Sequence, residues 1–290
     1  MASTASLWRR EMVQPLLRAY AAAPGVRAVL LGGSTARGNA DRWSDAEIGV
    51  FWETAPTDHA RSELAAAGGA QDCRLFEYDA SERVWCDDLH LGAGYPNGLL
   101  VEVVHQLAAA TSQILDAVLV DHSPDPVALN VVDGLLDGMP FHGVDLLSAW
   151  RERAATYPRE LAVAVVESAG LIDHFWRWEM LIERRNPVLF GGLLSSVSQQ
   201  LLTMLLALNR RYGPKHKWLP THLDLTPPDL DHRLRQVFEA DPAVAAESLA
   251  ELVEETFTLV ETELPEVDIT RLRTIFRHRR PPLDHPPLAQ

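Results

Sequence analysis

Two short apolar runs around a pair of glycines constrain this chain more than any other feature. Residues 26–33, VRAVLLGG, have the length of a strand and end in glycines; residues 45–53, DAEIGVFWE, form a second run of the same kind. Apolar runs this short, bounded by turn residues, predict buried strands. The second run breaks its own pattern by holding Asp45 and Glu47. Side chains alternate along a strand, so both carboxylates point to one face. Isolated buried carboxylates are costly and adjacent ones repel. A divalent cation removes the conflict, and Mg²⁺ in particular is held by one or two carboxylates together with substrate phosphates. Glu102, alone in the apolar run LLVEVV, can complete such a site from a neighbouring strand.

The glycines fit the same chemistry. A strand that enters Gly32-Gly33-Ser34 and then a helix leaves backbone N–H groups free, which suits a phosphate. Ser34 adds a hydroxyl, and Arg37 one turn later adds a guanidinium.

The surrounding pattern divides the chain. Residues 5–22 predict one amphipathic helix with Leu7, Met12, Leu16, Leu17 and Tyr20 on its apolar side. DHARSELAAAGG predicts a helix closed by glycines, DCRLFEYD a strand with Cys73, Leu75 and Glu77 on one side, and RVWCDDLHL a further strand. GAGYPNG is a turn, LLVEVVHQ a strand, and residues 106–120 a helix. From about residue 141 strand signals stop, and helices are predicted over 144–156, 159–184, 188–212, 229–240 and 243–264. The fold class is α+β: a mixed sheet with flanking helices over residues 1–140, an all-α helical bundle over 141–280, and a Pro-rich tail over 281–290.

Charge and composition narrow the partners. A formal net charge of -14 argues against broad electrostatic binding to nucleic acid. Two cysteines are too few for a disulfide scaffold, and no Cys/His spacing suits zinc. The first residues lack the apolar stretch of a signal peptide, and no run of about 20 apolar residues stands out as a membrane span. The expectation is a soluble cytoplasmic protein whose oligomeric state is left open. Of the 26 basic residues only Lys215 and Lys217 are lysines. A compact ammonium suits phosphate oxygens, so both are candidate contacts to a triphosphate.

The segment GSTARGNADRWSDAEIGVFW resembles the nucleotidyltransferase superfamily with a DNA-polymerase-β-like core. That family's pattern is an apolar strand, Gly-Gly or Gly-Ser, a spacer, Asp-x-Asp or Asp-x-Glu, and a third carboxylate on a later strand. Arg37-Gly38 before Ser44-Asp45 is similar to the small-molecule branch, which includes aminoglycoside nucleotidyltransferases. The match covers about residues 27–105, and the helical half is also expected of that branch. The resemblance implies Mg²⁺-dependent transfer of a nucleoside monophosphate from an NTP, ATP first among them, to a hydroxyl of a small acceptor such as an antibiotic. It makes Asp45, Glu47 and Glu102 catalytic and metal-binding, with Glu102 as ligand, general base or both. It places Gly32, Gly33, Ser34, Arg37 and Ser44 at the nucleotide, where the clustering of the two lysines also sets one of Lys215 and Lys217, and Glu179 and Glu183, at i,i+4 in the helical half, at the acceptor. Two features depart from the usual pattern: the longer carboxylate at 47, and Gly49, which weakens its strand or permits a close approach.

Two other readings differ in class. One is a catalytically silent nucleotidyltransferase fold that binds nucleotide or a protein partner as a regulator. The other is a HEPN-type RNase, from the Arg-x4-His spacing of Arg211 and His216, which Gly213-Pro214 interrupts.

Overall fold

The computed structural model describes residues 2–213 and 223–280. The chain divides into two compact units, Met1–Thr156 and Tyr157–Gln290.

The first unit opens with two helices, α1 (Thr4–Met12) and α2 (Gln14–Ala21), where the sequence predicts one. Pro15 falls in the first turn of α2 and has no N–H to continue a helix from α1, so the chain breaks at Val13. The predicted apolar face is split accordingly: Leu16, Leu17 and Tyr20 are buried, whereas Leu7 and Met12 are exposed. The chain continues through β1 (Val26–Gly32), α3 (Gly33–Arg37), β2 (Ala46–Trp52), α4 (Asp58–Ala67), β3 (Ala70–Leu75), β4 (Val84–Leu91), β5 (Leu99–Leu107), α5 (Ala108–Leu119), α6 (Pro126–Asp137), β6 (Met139–His142) and α7 (Val144–Ala154).

The strands form one mixed sheet in the order β3-β4-β5-β2-β1-β6. β2 and β5 run parallel, and every other neighbouring pair is antiparallel. One face is apolar. Val29, Leu31, Ile48, Val50, Leu89, Val101 and Val103 pack there with Leu16, Leu17 and Tyr20 of α2 and Ala65 of α4. On the other face Phe51 meets Trp150 of α7 edge to face, with ring centroids 5.1 Å apart. The Gly49 anomaly has a packing cause: a Cβ there would stand 3.2 Å from Leu30 Cδ1, its neighbour on β1. The missing side chain makes room for a leucine.

The boundary predicted near residue 140 moves to Thr156. β6, a four-residue strand containing Pro140, pairs with the free side of β1. Arg151 of α7 donates to the Leu135 and Gly138 carbonyls at the end of α6. Both elements belong to the sheet's unit.

The second unit is helical among its described residues: α8 (Arg159–Ala169), α9 (Arg177–Glu183), α10 (Pro187–Leu208), α11 (Leu230–Glu239), α12 (Pro242–Glu263) and α13 (Ile269–Phe276). The single helix predicted over 159–184 is two, separated by residues 170–176. α10 packs against α8 and α12, and Phe175, Phe257 and Phe276 form an aromatic cluster with centroids 5.0 and 5.9 Å apart. α10 is the most apolar of these helices. Its 22 residues carry no charge, and it alone among the described helices is long and apolar enough to cross a membrane. Half of its apolar window is buried inside the protein, as for a core helix.

Candidate active site

Strand pairing sets two of the three predicted carboxylates side by side. Gly32 of β1 lies opposite Glu47 of β2, and Glu47 lies opposite Glu102 of β5. Paired residues point to the same face of a sheet. Asp45 stands two residues before Glu47, one position ahead of β2, and like Glu47 is half-buried. The intervening Ala46 and the following Ile48 are buried on the apolar face. The alternation read from the sequence therefore separates a core face from a carboxylate face.

Glu47 rests on the glycines. Gly33 has φ +61°, and a Cβ added there would lie 2.3 Å from Glu47 Oε1. Gly32 keeps an extended backbone (φ -107°, ψ -171°) and turns the chain from β1 into α3. Only glycine fits comfortably at 33, because the positive φ strains an L side chain and the carboxylate fills the space that a side chain would need.

The segment between the two strands is held by residues the sequence reading did not single out. Thr35 Oγ1 donates to the Asp45 carbonyl at 3.1 Å. Arg10 of α1 donates to the carbonyls of Thr35 and Ala36 at 3.0 and 2.8 Å, and Arg9 donates to the Ser44 carbonyl at 2.9 Å. Arg10 thus satisfies carbonyls that α3, one and a half turns long, leaves without helical partners, and Arg9 holds the chain just before β2. Ser3 and Ser6 bind the same segment: Ser3 N–H donates to the Gly38 carbonyl at 2.8 Å, and the Ala40 N–H donates to Ser6 Oγ at 3.0 Å. These contacts span about 35 residues of chain, so no local motif announces them.

The other predicted nucleotide contacts are distributed. Ser34 is buried at the start of α3. Arg37 is exposed and pairs with Asp137 at 3.5 Å. The Ser44 hydroxyl closes a turn, accepting from the Asp41 N–H at 3.0 Å and donating to Asp41 Oδ1 at 3.1 Å. The Trp43 N–H, and after it Ser44, hold Asp41 below the usual carboxylate range. Lys215, Lys217 and His216 lie outside the described residues. Arg211, the other half of the Arg-x4-His spacing, follows the end of α10. Glu179 and Glu183 are exposed on α9 of the second unit.

β4 carries two further carboxylates on opposite faces. Asp88 pairs with Glu102 and lies on the carboxylate face. Asp87 is fully buried on the other face. There Arg61 of α4 donates to Asp87 Oδ1, and His105 Nε2 lies 2.9 Å from Asp87 Oδ2. Trp52 Nε1–H donates to His105 Nδ1 at 3.1 Å. With Nδ1 accepting, the ring proton sits on Nε2 and His105 is neutral. Burial pushes its pKa below the ordinary value, against the raising effect of Asp87. The network joins β2, β4 and β5, the strands that carry Glu47, Asp88 and Glu102.

Among the described residues no three His, Cys, Asp or Glu side chains gather closely enough to hold one metal ion. The carboxylate face therefore contains no preformed cage. Its all-oxygen donors do fit a hard cation that takes one or two carboxylates and completes its shell from a phosphate and water.

A family model described as a domain of unknown function (DUF4037) matches residues 131–219, a stretch that excludes Gly32, Asp45, Glu47 and Glu102. No curated protein matches the sequence. Among solved structures the chain is similar to a nucleotidyltransferase-like protein from Exiguobacterium sibiricum, at 15% identity over 88% of this chain and 78% of that one, with a TM-score of 0.35. It is also similar to Cid1 in complex with its short product ApU, at 14% identity over 91% of this chain and 69% of that one, with a TM-score of 0.31. Neither likeness is strong enough to carry a function across. The six-stranded mixed sheet with flanking helices, followed by a helical region, fits the nucleotidyltransferase fold that the sequence resemblance implies.

Proposed function

We propose that the chain is a Mg²⁺-dependent nucleotidyltransferase that moves a nucleoside monophosphate from an NTP to a hydroxyl of a small acceptor. The observation that carries this reading is the placement of Glu47. Its carboxylate lies against the Gly32–Gly33 turn and faces Glu102 on the parallel strand. A phosphate-sized group approaching the glycine backbone would meet carboxylates suited to a shared cation.

Of the three carboxylates that the resemblance assigns to Mg²⁺, Glu47 with one neighbour, Asp45 or Glu102, would hold the ion, and phosphate and water would complete its shell. Bound there, the ion supplies charge neutralisation and in-line alignment of the attacking and leaving oxygens. The chain's own residues do the rest. The glycines let a phosphate come close to the backbone, and Thr35, Arg9 and Arg10 fix the segment that bears Asp45. Glu179 and Glu183, exposed on α9, are the acceptor contacts that the resemblance suggests. ATP as donor, an antibiotic as acceptor and a cytoplasmic location belong to the same proposal.

Incubation with Mg²⁺, each α-labelled NTP and a panel of aminoglycosides, lincosamides and common metabolites tests it. Labelled product that disappears in the Asp45→Asn/Glu47→Gln variant supports transfer. Mg²⁺-dependent binding without any product points to the silent regulator, and no binding at all sinks the reading.

A further inference from the structure

The buried residues of α10 are Phe, Leu, Val, Met or Ala, with one exception: Ser198, which is 6% exposed. A serine inside a helix commonly satisfies its hydroxyl by donating to the carbonyl four residues back. Thr203, five residues later on the same helix, does so, donating to the Gln199 carbonyl at 2.9 Å. The Ser198 hydroxyl is enclosed and finds no hydrogen-bond partner among the described residues. A buried hydroxyl left unpaired keeps its full desolvation cost. Alanine, the better helix former, would suit α10 more at this position, so stability alone does not account for the serine.

Ser198 lines a cavity of about 310 Å³ between α10 and α11. The buried part of the lining is Ser198 and Leu202, four residues apart on α10, and Leu234 of α11. Residues at that spacing share a helix face. Phe238, four residues after Leu234 and 55% exposed, adds an aromatic wall. Arg235 and Glu239 stand at the exposed rim. Arg235 is engaged there, with Nε and Nη2 each 3.2 Å from the Asp231 carboxylate. The charges stay at the rim, and the floor presents the Ser198 hydroxyl among apolar side chains.

That combination selects an occupant. An ordered water needs two to four polar partners, and this floor supplies the hydroxyl alone. A purely apolar molecule fits the leucines and leaves the hydroxyl unpaired. A molecule with an apolar body and one hydroxyl answers both. The volume lies at the lower end of the range for small-molecule sites, and a cavity of about 150 Å³ is already enough for benzene.

We infer that the cavity between α10 and α11 binds a small neutral molecule, one ring in size, whose hydroxyl pairs with Ser198. The ring lies against Leu202, Leu234 and Phe238. All of the lining residues belong to the second unit, and the inference stands apart from the transfer reading.

Benzyl alcohol and toluene are the probes, alike in their ring and different in the hydroxyl. Each is titrated into the full chain carrying methyl-labelled leucine, so that the Leu202 and Leu234 methyl resonances report both the place of binding and the dissociation constant. Benzyl alcohol is expected to shift both resonances. Its preference over toluene, taken as the ratio of the two constants, should fall about tenfold in Ser198→Ala, equivalent to about 1.4 kcal/mol. Phe238→Ala weakens both probes by a like factor and leaves the ratio near that of the wild type. Without a probe, Ser198→Ala melts at or above the wild-type temperature, because it removes no bond.

A ratio unchanged in Ser198→Ala overturns the inference, and so do leucine resonances that neither probe moves. A melting temperature lower by about 3 °C or more in Ser198→Ala shows a hydroxyl already bonded within the protein, and overturns it. Sedimentation as a dimer that Phe238→Ala returns to monomer, with neither probe bound, gives the face to a second copy and overturns it too. Should Ser198→Ala fail to fold, Ser198→Cys takes its place, since a thiol is a weak hydrogen-bonding group: a reduced ratio supports the pairing and an unchanged one overturns it.

Discussion

Placing alanine at Gly33 separates the backbone's role from the carboxylate's. The residue has φ +61°, and an L side chain in that left-handed region costs about 1–2 kcal/mol. The new Cβ would stand 2.3 Å from Glu47 Oε1 and 2.6 Å from Glu47 Cδ, closer than real contacts allow. What it meets is the end of a flexible side chain, so Glu47 swings aside and the backbone does not have to yield. The stability loss therefore stays near the conformational cost. For a unit of this size that is a fall in Tm of about 2–8 °C. The larger effect falls on the ligand site, because Glu47 leaves the carboxylate face. Mg·ATP affinity should drop by about tenfold or more, equivalent to about 1.4 kcal/mol. Gly32→Ala is the control. Its backbone is extended, and its Cβ would lie 3.4 Å from Glu47 Cβ, at the edge of ordinary contact. Calorimetric titration with Mg·ATP and thermal melts on both variants give the answer. Wild-type affinity in Gly33→Ala, or equal failure of both variants, would refute the assignment of Glu47.

Asp87→Ala removes the buried carboxylate partner of Arg61, which is 1% exposed and keeps only Asp58 and the Phe76 carbonyl, and should cost about 3–5 kcal/mol in urea denaturation; a loss below about 1 kcal/mol would show that those two partners replace it. The neutral His105 makes a pH prediction. Its folded pKa lies below the unfolded value of about 6.5, so the unfolded chain binds the extra proton. Stability is complete above about pH 6.5 and is lost as pH falls toward the folded value. The denaturation midpoint of His105→Asn should fall less steeply than that of the wild type between about pH 8 and pH 5, and parallel slopes would contradict the neutral ring. Thr35→Val removes the hydrogen bond to the Asp45 carbonyl and should cost about 0.5–1.5 kcal/mol, with weaker Mg·ATP binding; an unchanged affinity would free Asp45 from this tether.

The sequence shows Asp45, Glu47 and Glu102 because each interrupts an apolar run. A charge among β-branched residues is conspicuous, and the strands that carry them are buried on their other face. Asp88 is hidden by the opposite circumstance. VWCDDLHL is a mixed strand in which two aspartates look unremarkable, and only the pairing of β4 with β5 sets one beside Glu102 and buries the other under Arg61. Register is a long-range property, and the local sequence does not contain it. The same holds for Arg9 and Arg10, whose partners lie about 35 and 25 residues along the chain. β6 escapes notice because four residues with a proline carry little periodicity, and it is tolerated because it is an edge strand. The break at Val13 was legible in Pro15, but the spacing of apolar residues on either side concealed it.

The attachment of α1 to the segment that bears Asp45 has a practical consequence for anyone handling the protein. Ser3 and Ser6 bind Gly38 and Ala40, and a Cβ at Gly38 would lie 3.2 Å from Ala2 Cα. A fusion joined at Ala2 starts beside the segment that leads to Asp45. An affinity tag or fluorescent protein placed there perturbs the segment that carries Asp45, and a fusion without activity would report on the tag before it reported on the proposed function.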